Sequence, residues 1–236
     1  MKKLQYNINP REKINKLIKD RDLKTLLMLS AQIHGHYCPG LAMGVMASGY
    51  AMNELDVITD GMEEVLAITE INSCFTDGIQ YVTGCTIGNN GLIYKDLGKT
   101  AFSLVKRTGK GIRIISKNNF REVFKSYYPD LNSLYNEVVK NKNRESKLLE
   151  EYKLLATKRA FVTLEIPFNE LFDVKDIHIS VPDYAKVDSS CVCAECHESL
   201  MCSRTIEKNN NILCKECAKA DYYMLTGNGL SIQKNK

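Results

Sequence analysis

The stretch His34-Gly35-His36-Tyr37-Cys38-Pro39-Gly40-Leu41-Ala42-Met43-Gly44 ends one helical pattern, turns, and begins another. Upstream of it Ile14, Leu17 and Ile18, and then Leu23, Leu26, Leu27 and Ile33, recur at helical spacing, which predicts two amphipathic helices over residues 11–19 and 22–33. Gly35 and the Pro39-Gly40 pair break that period, and Pro39 suits the first turn of a third helix continuing over residues 41–55. Gly40, Gly44 and Ser48 recur every four residues along it, so another backbone can approach closely. Downstream the period changes. Val65-Leu66-Ala67-Ile68, Leu92-Ile93-Tyr94, residues 100–105 and Ile112-Arg113-Ile114-Ile115 read as strands, with Gly88, Gly91, Gly98, Gly109 and Gly111 as turns. Residues 119–159 return to helix, and residues 174–181 offer one more strand that Pro182 ends. The predicted class is α+β, helices with a mixed or antiparallel sheet.

Composition shifts after Asp188, where six of the nine cysteines fall within residues 191–217. A core domain is therefore expected over residues 1–187 and a small second domain over 188–236. Cys193-Ala-Glu-Cys196 and Cys214-Lys-Glu-Cys217 are two CxxC pairs 17 residues apart, a four-thiolate zinc-ribbon spacing. Each knuckle can aim two thiolates at one ion, and the intervening chain returns the second pair to complete a tetrahedron. So small a piece has too few apolar residues to fold without metal. Cys193 to His197 also spells the C-x-x-C-H haem signature, but haem attachment would leave the second pair unexplained. A redox CxxC is disfavoured because no βαβ pattern precedes it. Cys191 could stand in for Cys193, and Cys202 is expected to be a spectator thiol. An odd cysteine count makes a disulfide framework the weaker reading.

The second constellation is His34, His36 and Cys38, followed by Glu70, Cys74, Asp77 and Cys85. Imidazole and thiolate together suit a borderline-soft metal such as zinc. His34, His36, Cys38, Cys74 and Cys85 are thus the candidate ligands, some subset of which would leave an open position for water or substrate. Asp77 or Glu70 would serve in the outer shell or as proton carrier. Lys99 would offset negative charge, and Cys38, Asp77 and Lys99 are the candidate catalytic groups. The helix beginning at Pro39-Gly40 would stabilise a Cys38 thiolate. The bland alternative is a histidine capping a helix with small cysteines in a core. Met43, Met46 and Met52 read as core filler, and His178 as an ordinary core or surface residue.

The chain has 236 residues and a formal charge of +4, too slight for a general nucleic-acid or membrane binder. Charge is nevertheless segregated. No Lys or Arg occurs between His34 and Tyr94, and residues 52–80 carry seven acids. Residues 95–125 carry nine bases against Asp96 and Glu122. These are two solvated faces of opposite sign, or an anion-binding wall beside an acidic or metal site. Residues 187–236 balance six bases with six acids, so the ribbon lacks the clustered cations of a nucleic-acid reader and suits folding or protein docking. No stretch reaches the roughly 20 apolar residues of a transmembrane helix, and no secretory apolar run follows Met1, so a cytoplasmic location is expected.

Several motifs in order carry a family resemblance. His34-Gly35-His36-x-Cys38-Pro39-Gly40-x3-Gly44 is followed by Glu70-x3-Cys74-x2-Asp77-Gly78-Ile79-Gln80, Thr83-Gly84-Cys85-Thr86-x-Gly88 and Asp96-x-Gly98-Lys99. Leu171-Phe172, Pro182-x2-Ala185 and the ribbon complete the set. Together they resemble the FmdE family, named after one of the subunits of molybdenum formylmethanofuran dehydrogenase. Two positions depart from it: Gly88-Asn89-Asn90-Gly91 stands where Gly-Lys-Gly-Asn is usual, and Gly78 where Ala is commoner. The resemblance implies an α+β core with a metal site, an optional zinc-ribbon tail and intertwined dimers.

Three functions follow as expectations. The first is a metal-binding accessory protein of a molybdenum or tungsten formylmethanofuran dehydrogenase-type system, since no cluster-type cysteine run makes this chain its redox engine. The second is a zinc or thiol enzyme acting on an anionic small molecule held by Lys95, Lys99, Arg107 or Arg113. The third is a metal-responsive regulator. A homodimer is expected from the Gly40, Gly44 and Ser48 pattern and the resemblance.

Overall fold

Local chemistry sets the first helix boundaries. Helix α1 spans Glu12–Lys19. Asp22 then caps α2, Leu23–His34, by accepting from the Thr25 N–H at 3.0 Å. Gly35, at φ +86°, ends α2 in the left-handed conformation that glycine adopts without strain. Helix α3, Pro39–Glu54, has Pro39 in its first turn and Cys38 as N-cap, whose sulfur accepts from the Leu41 N–H at 3.4 Å. The computed structural model describes residues 8–128 and 132–235. The chain forms two compact units, Met1–Pro182 and Asp183–Lys236.

Strand β1, Val65–Thr69, is buried at every residue and leads into α4, Cys74–Thr83. Strands β2 (Leu92–Tyr94), β3 (Ala101–Lys106) and β4 (Lys110–Ser116) follow. Helices α5 (Phe120–Tyr127), α6 (Asn132–Tyr135), α7 (Ser146–Thr163) and α8 (Phe168–Leu171) precede β5, Phe172–His178. The sheet order is β2-β1-β3-β4-β5, parallel only between β1 and β2, which gives the mixed α+β core. Leu26, Leu41, Phe75, Phe102, Leu104 and Ile114 are among the fully buried side chains that join helices to sheet.

The glycine stripe of α3 faces α4 of the same chain. A Cβ on Gly44 would strike the Phe75 carbonyl oxygen, and one on Gly78 would lie 2.7 Å from the Leu41 carbonyl oxygen. The close neighbour expected for this helix is thus internal, so the stripe itself gives no ground for a dimer. The long helix expected over residues 119–159 is broken instead. A π-helical turn, Asn136–Lys140, follows α6, and Lys142 takes a left-handed φ of +56° before α7 starts. Arg144 donates to the Val138 carbonyl oxygen at 2.6 Å and secures this corner. The last strand of the core ends at His178, earlier than expected, where it pairs with Lys110 and is exposed.

The second unit is built of hairpins. Strands β6 (Ser190–Val192) and β7 (Ser199–Met201) pair, as do β8 (Ile206–Lys208) with β9 (Asn211–Leu213) and β10 (Tyr222–Thr226) with β11 (Gly229–Gln233). Among the described residues its buried apolar cluster is Cys193, Leu213 and Ala218. Cys191 and Cys202 form a disulfide between the ends of the first hairpin. That corrects the expectation of a substitute ligand and a spectator thiol: antiparallel pairing sets the two residues at adjacent strand ends. Among the described residues no helix is long and apolar enough to cross a membrane.

Candidate metal centre

Two helix starts and one helix end meet at the core group. His34 is the last residue of α2, Cys38 the N-cap of α3 and Cys74 the first residue of α4. His36 lies in the turn between α2 and α3. Donor atoms of His34, His36, Cys38 and Cys74 all lie within 4.8 Å of one another. The close α3–α4 contact makes this possible, since Gly40 faces Cys74 closely enough that a Cβ there would sit 3.2 Å from the Cys74 Cβ.

His34 Nδ1 donates to Asp77 Oδ2 at 2.7 Å while its Nε2 lies 3.6 Å from Cys38 Sγ. Asp77 stands three residues after Cys74, on the same face of α4, and Gln80 Nε2 donates to its other oxygen at 3.2 Å. A carboxylate behind one imidazole nitrogen fixes the other toward the group, as carboxylates commonly do behind metal-bound histidines. A tetrahedral ion bonded at about 2.0–2.3 Å spaces its donors roughly 3.3–3.8 Å apart, so the His34–Cys38 separation already suits one. The donor set and its buried, carboxylate-backed geometry fit a borderline-soft divalent ion.

Charge is concentrated in the group. The hydrogen bond from Cys38 and then that from His34 pull the Cys74 thiol down to about 4. Its bond to Cys74, with Asp77 adding, pushes His34 up to about 9. Cys38 is driven upward, first by its bond to Cys74 and then by burial. Burial and the His34 charge hold His36 below its ordinary value. The proton that the two thiols share is therefore drawn towards Cys38 and away from Cys74. An ion would replace these shared protons, because ligand thiols and imidazoles bind it deprotonated.

Other candidate residues fall elsewhere. Cys85 is buried, its thiol 3.6 Å from the Val65 carbonyl oxygen and outside the four-residue group. Glu70 is held by Arg113 through bonds of 2.6 and 2.8 Å and is likewise outside the four-residue group. Lys99 donates its backbone N–H to the Glu70 carbonyl oxygen at 3.1 Å, and Arg107 pairs with Glu63 at 2.6 Å. Met43, Met46 and Met52 are buried in the core.

A cavity of about 750 Å³ opens over the group, with His36, Cys38 and Cys74 at its floor. Phe120 and Arg121 of α5 line it, as do Tyr135, Val138, Lys142 and Arg144. From α7 come Leu149, Tyr152, Lys153, Ala156 and Arg159, one helical face. Only Arg121 of these cations lies in the basic block of residues 95–125. The others hide in a Lys/Glu-mixed stretch whose available signal was the spacing of Tyr152, Ala156 and Arg159 on one face.

In the second unit, donor atoms of Cys193, Cys196, Cys214 and Cys217 likewise lie within 4.8 Å of one another. The Cys214 N–H donates to Cys193 Sγ and the Cys217 N–H to Cys214 Sγ, each at 3.3 Å. Backbone N–H groups of Cys196 and Cys214 pull Cys193 down to about 6.

Residues 33–173 match the family model described as FmdE, molybdenum formylmethanofuran dehydrogenase operon. A curated relative from Archaeoglobus fulgidus, named a probable S-adenosyl-L-methionine-binding protein, is 36% identical over 217 residues, covering 88% of this chain. The chain spans 56% of that relative's length, about half. A tungsten formylmethanofuran dehydrogenase FmdE-like protein from Syntrophus aciditrophicus shares the fold, with a TM-score of 0.50 at 19% identity over 83% of this chain and 91% of that one.

Proposed function

Because the chain belongs to the FmdE family, we propose that it is a metal-binding accessory protein whose working site is the core group, with His34, His36, Cys38 and Cys74 as ligands of a zinc ion. The observation that carries this reading is the convergence of four nitrogen and sulfur donors within 4.8 Å, with Asp77 fixing the far nitrogen of His34. Held by all four donors a zinc there would have no open position, so it would supply Lewis-acid chemistry where one of the four gives way to water or substrate. Asp77 holds the His34 tautomer, and the α3 and α4 N-termini favour thiolates at Cys38 and Cys74. The ribbon cysteines hold a second, structural zinc, since four thiolates close the coordination sphere. That unit serves folding and protein docking.

Association with a molybdenum or tungsten enzyme system is the partner reading we favour, on the family's description alone. The ligand in the Archaeoglobus relative's name is not extended to this chain. Its net positive charge, a sulfonium and an ammonium against one carboxylate, would meet a cavity whose described lining has five cations and no carboxylate.

Metal analysis of the full-length protein tests the site, with two zinc ions per chain expected from the two donor groups. Cys38→Ala with Cys74→Ser should remove one and Cys214→Ser the other, with the core's circular dichroism retained. A single zinc that Cys214→Ser abolishes would sink the core reading. A homodimer is proposed on the family resemblance, and light scattering that returns a monomer at micromolar concentration would overturn it.

A further inference from the structure

The cavity over the core group is lined by charge of one sign. Acids and bases nearly balance along the chain, 28 against 32, yet the described lining of the cavity has five cations and no carboxylate. Three of the five have contacts within the protein: Arg144 holds the Val138 carbonyl, Arg159 lies over the Tyr128 ring at 5.3 Å, and Arg121 lies over the Phe120 ring at 5.7 Å, which leaves its charge unneutralised. Arg121, Lys142 and Lys153 are exposed at the rim and have no carboxylate within 4.0 Å among the described residues. Between rim and floor the walls are apolar and aromatic. Val138 and Ala156 are buried at 3% exposure each, and Phe120, Tyr135 and Tyr152 present rings.

Zinc held by two thiolates and two imidazoles is formally neutral, so the ion would not alter the charge a ligand meets. The rim decides it. Cations around a low-dielectric concavity focus a positive potential into it, and a volume of about 750 Å³ suits a small organic molecule.

We propose that this cavity binds a small organic anion, with a flat apolar body between Phe120, Tyr135 and Tyr152 and at least two negative charges that meet Arg121, Lys142 and Lys153. The ligand thus lies on the floor made by His36, Cys38 and Cys74. The inference deepens the metal reading and rests on it only for what the ligand does once bound. It also places the anion at α5, α7 and the turn before α7 instead of at Lys95, Lys99, Arg107 or Arg113, of which Arg107 and Arg113 are engaged with Glu63 and Glu70.

The test uses the full-length protein as purified, titrated with fluorescent 8-anilinonaphthalene-1-sulfonate and with its uncharged counterpart N-phenyl-1-naphthylamine. The sulfonate should bind at one saturable site per chain and the neutral dye at least tenfold more weakly. Naphthalene-1,5-disulfonate should displace the sulfonate dye at least tenfold better than naphthalene-1-sulfonate or inorganic phosphate. Arg121→Gln with Lys153→Gln should weaken sulfonate binding at least tenfold and leave the neutral dye unchanged. Equal affinity for the two dyes, unchanged affinity in the double variant, or displacement by phosphate as good as by the disulfonate would overturn the proposal. Zinc content measured on the same samples judges the metal reading separately, because a missing core zinc leaves the dye comparison intact.

Discussion

Glu70 and Arg113 illustrate how a single contact reassigns two residues. In sequence they belong to an acidic stretch and a basic block, and each suggests work at a binding site. In register, Ser103 lies opposite Ile68 on one side and Arg113 on the other, and its short side chain leaves Arg113 room to reach Glu70. The Glu70 side chain is only 7% exposed. Arg113→Leu should therefore cost about 3–5 kcal/mol, because it leaves a buried carboxylate without its partner. The Arg113 hydrogen bonds hold the Glu70 carboxyl below its ordinary 4.5. A depressed folded value means the stabilisation is complete above the unfolded pKa and is lost as pH falls through the folded one. Urea unfolding from pH 7 downward should show the wild type losing stability on acidification more steeply than Arg113→Leu. Parallel curves would show that the pair contributes nothing.

Helices α3 and α4 carry the group between them, and their separation is set by Gly44 and Gly78. The Gly44→Ala Cβ would meet the Phe75 carbonyl, which belongs to backbone and cannot rotate away. The helices must part, at a cost of about 1–3 kcal/mol typical of overpacking, and Cys74 moves away from Cys38. Gly44→Ala should therefore lower both thermal stability and core metal affinity. Gly88→Ala meets nothing nearer than the Thr86 hydroxyl at 3.9 Å and should stay within about 0.5 kcal/mol of wild type. Full metal binding in a destabilised Gly44→Ala protein would separate packing from the site and refute the link.

Across the whole molecule the two units depend on metal to different degrees. The first has a broad core running from Ile18 through Phe172, whereas the second buries Cys193, Leu213 and Ala218. Chelation at neutral pH should unfold the second unit while the helices of the first persist. Limited proteolysis of the chelated protein should cut beyond Pro182 and spare the core. Protease resistance throughout would mean the hairpins and the Cys191–Cys202 disulfide hold that unit without metal.

The sequence alone determined what short-range geometry controls. Asp22, Gly35 and Pro39 mark helix ends through their own backbone and side-chain chemistry, period distinguishes helix from strand, and each CxxC knuckle brings its two thiols together within one turn. The ordered motifs around His34, Cys74 and Asp77 carried the family. Tertiary structure alone decided which distant groups meet. Cys74 joins His34, His36 and Cys38 because two glycines let α3 and α4 touch, while Cys85, in a motif just as prominent, turns into the core against Val65. The cationic cavity was hidden for the same reason. Its walls come from α5, a π-helical turn and one face of α7, and no single segment holds enough of them to be read before the chain has folded.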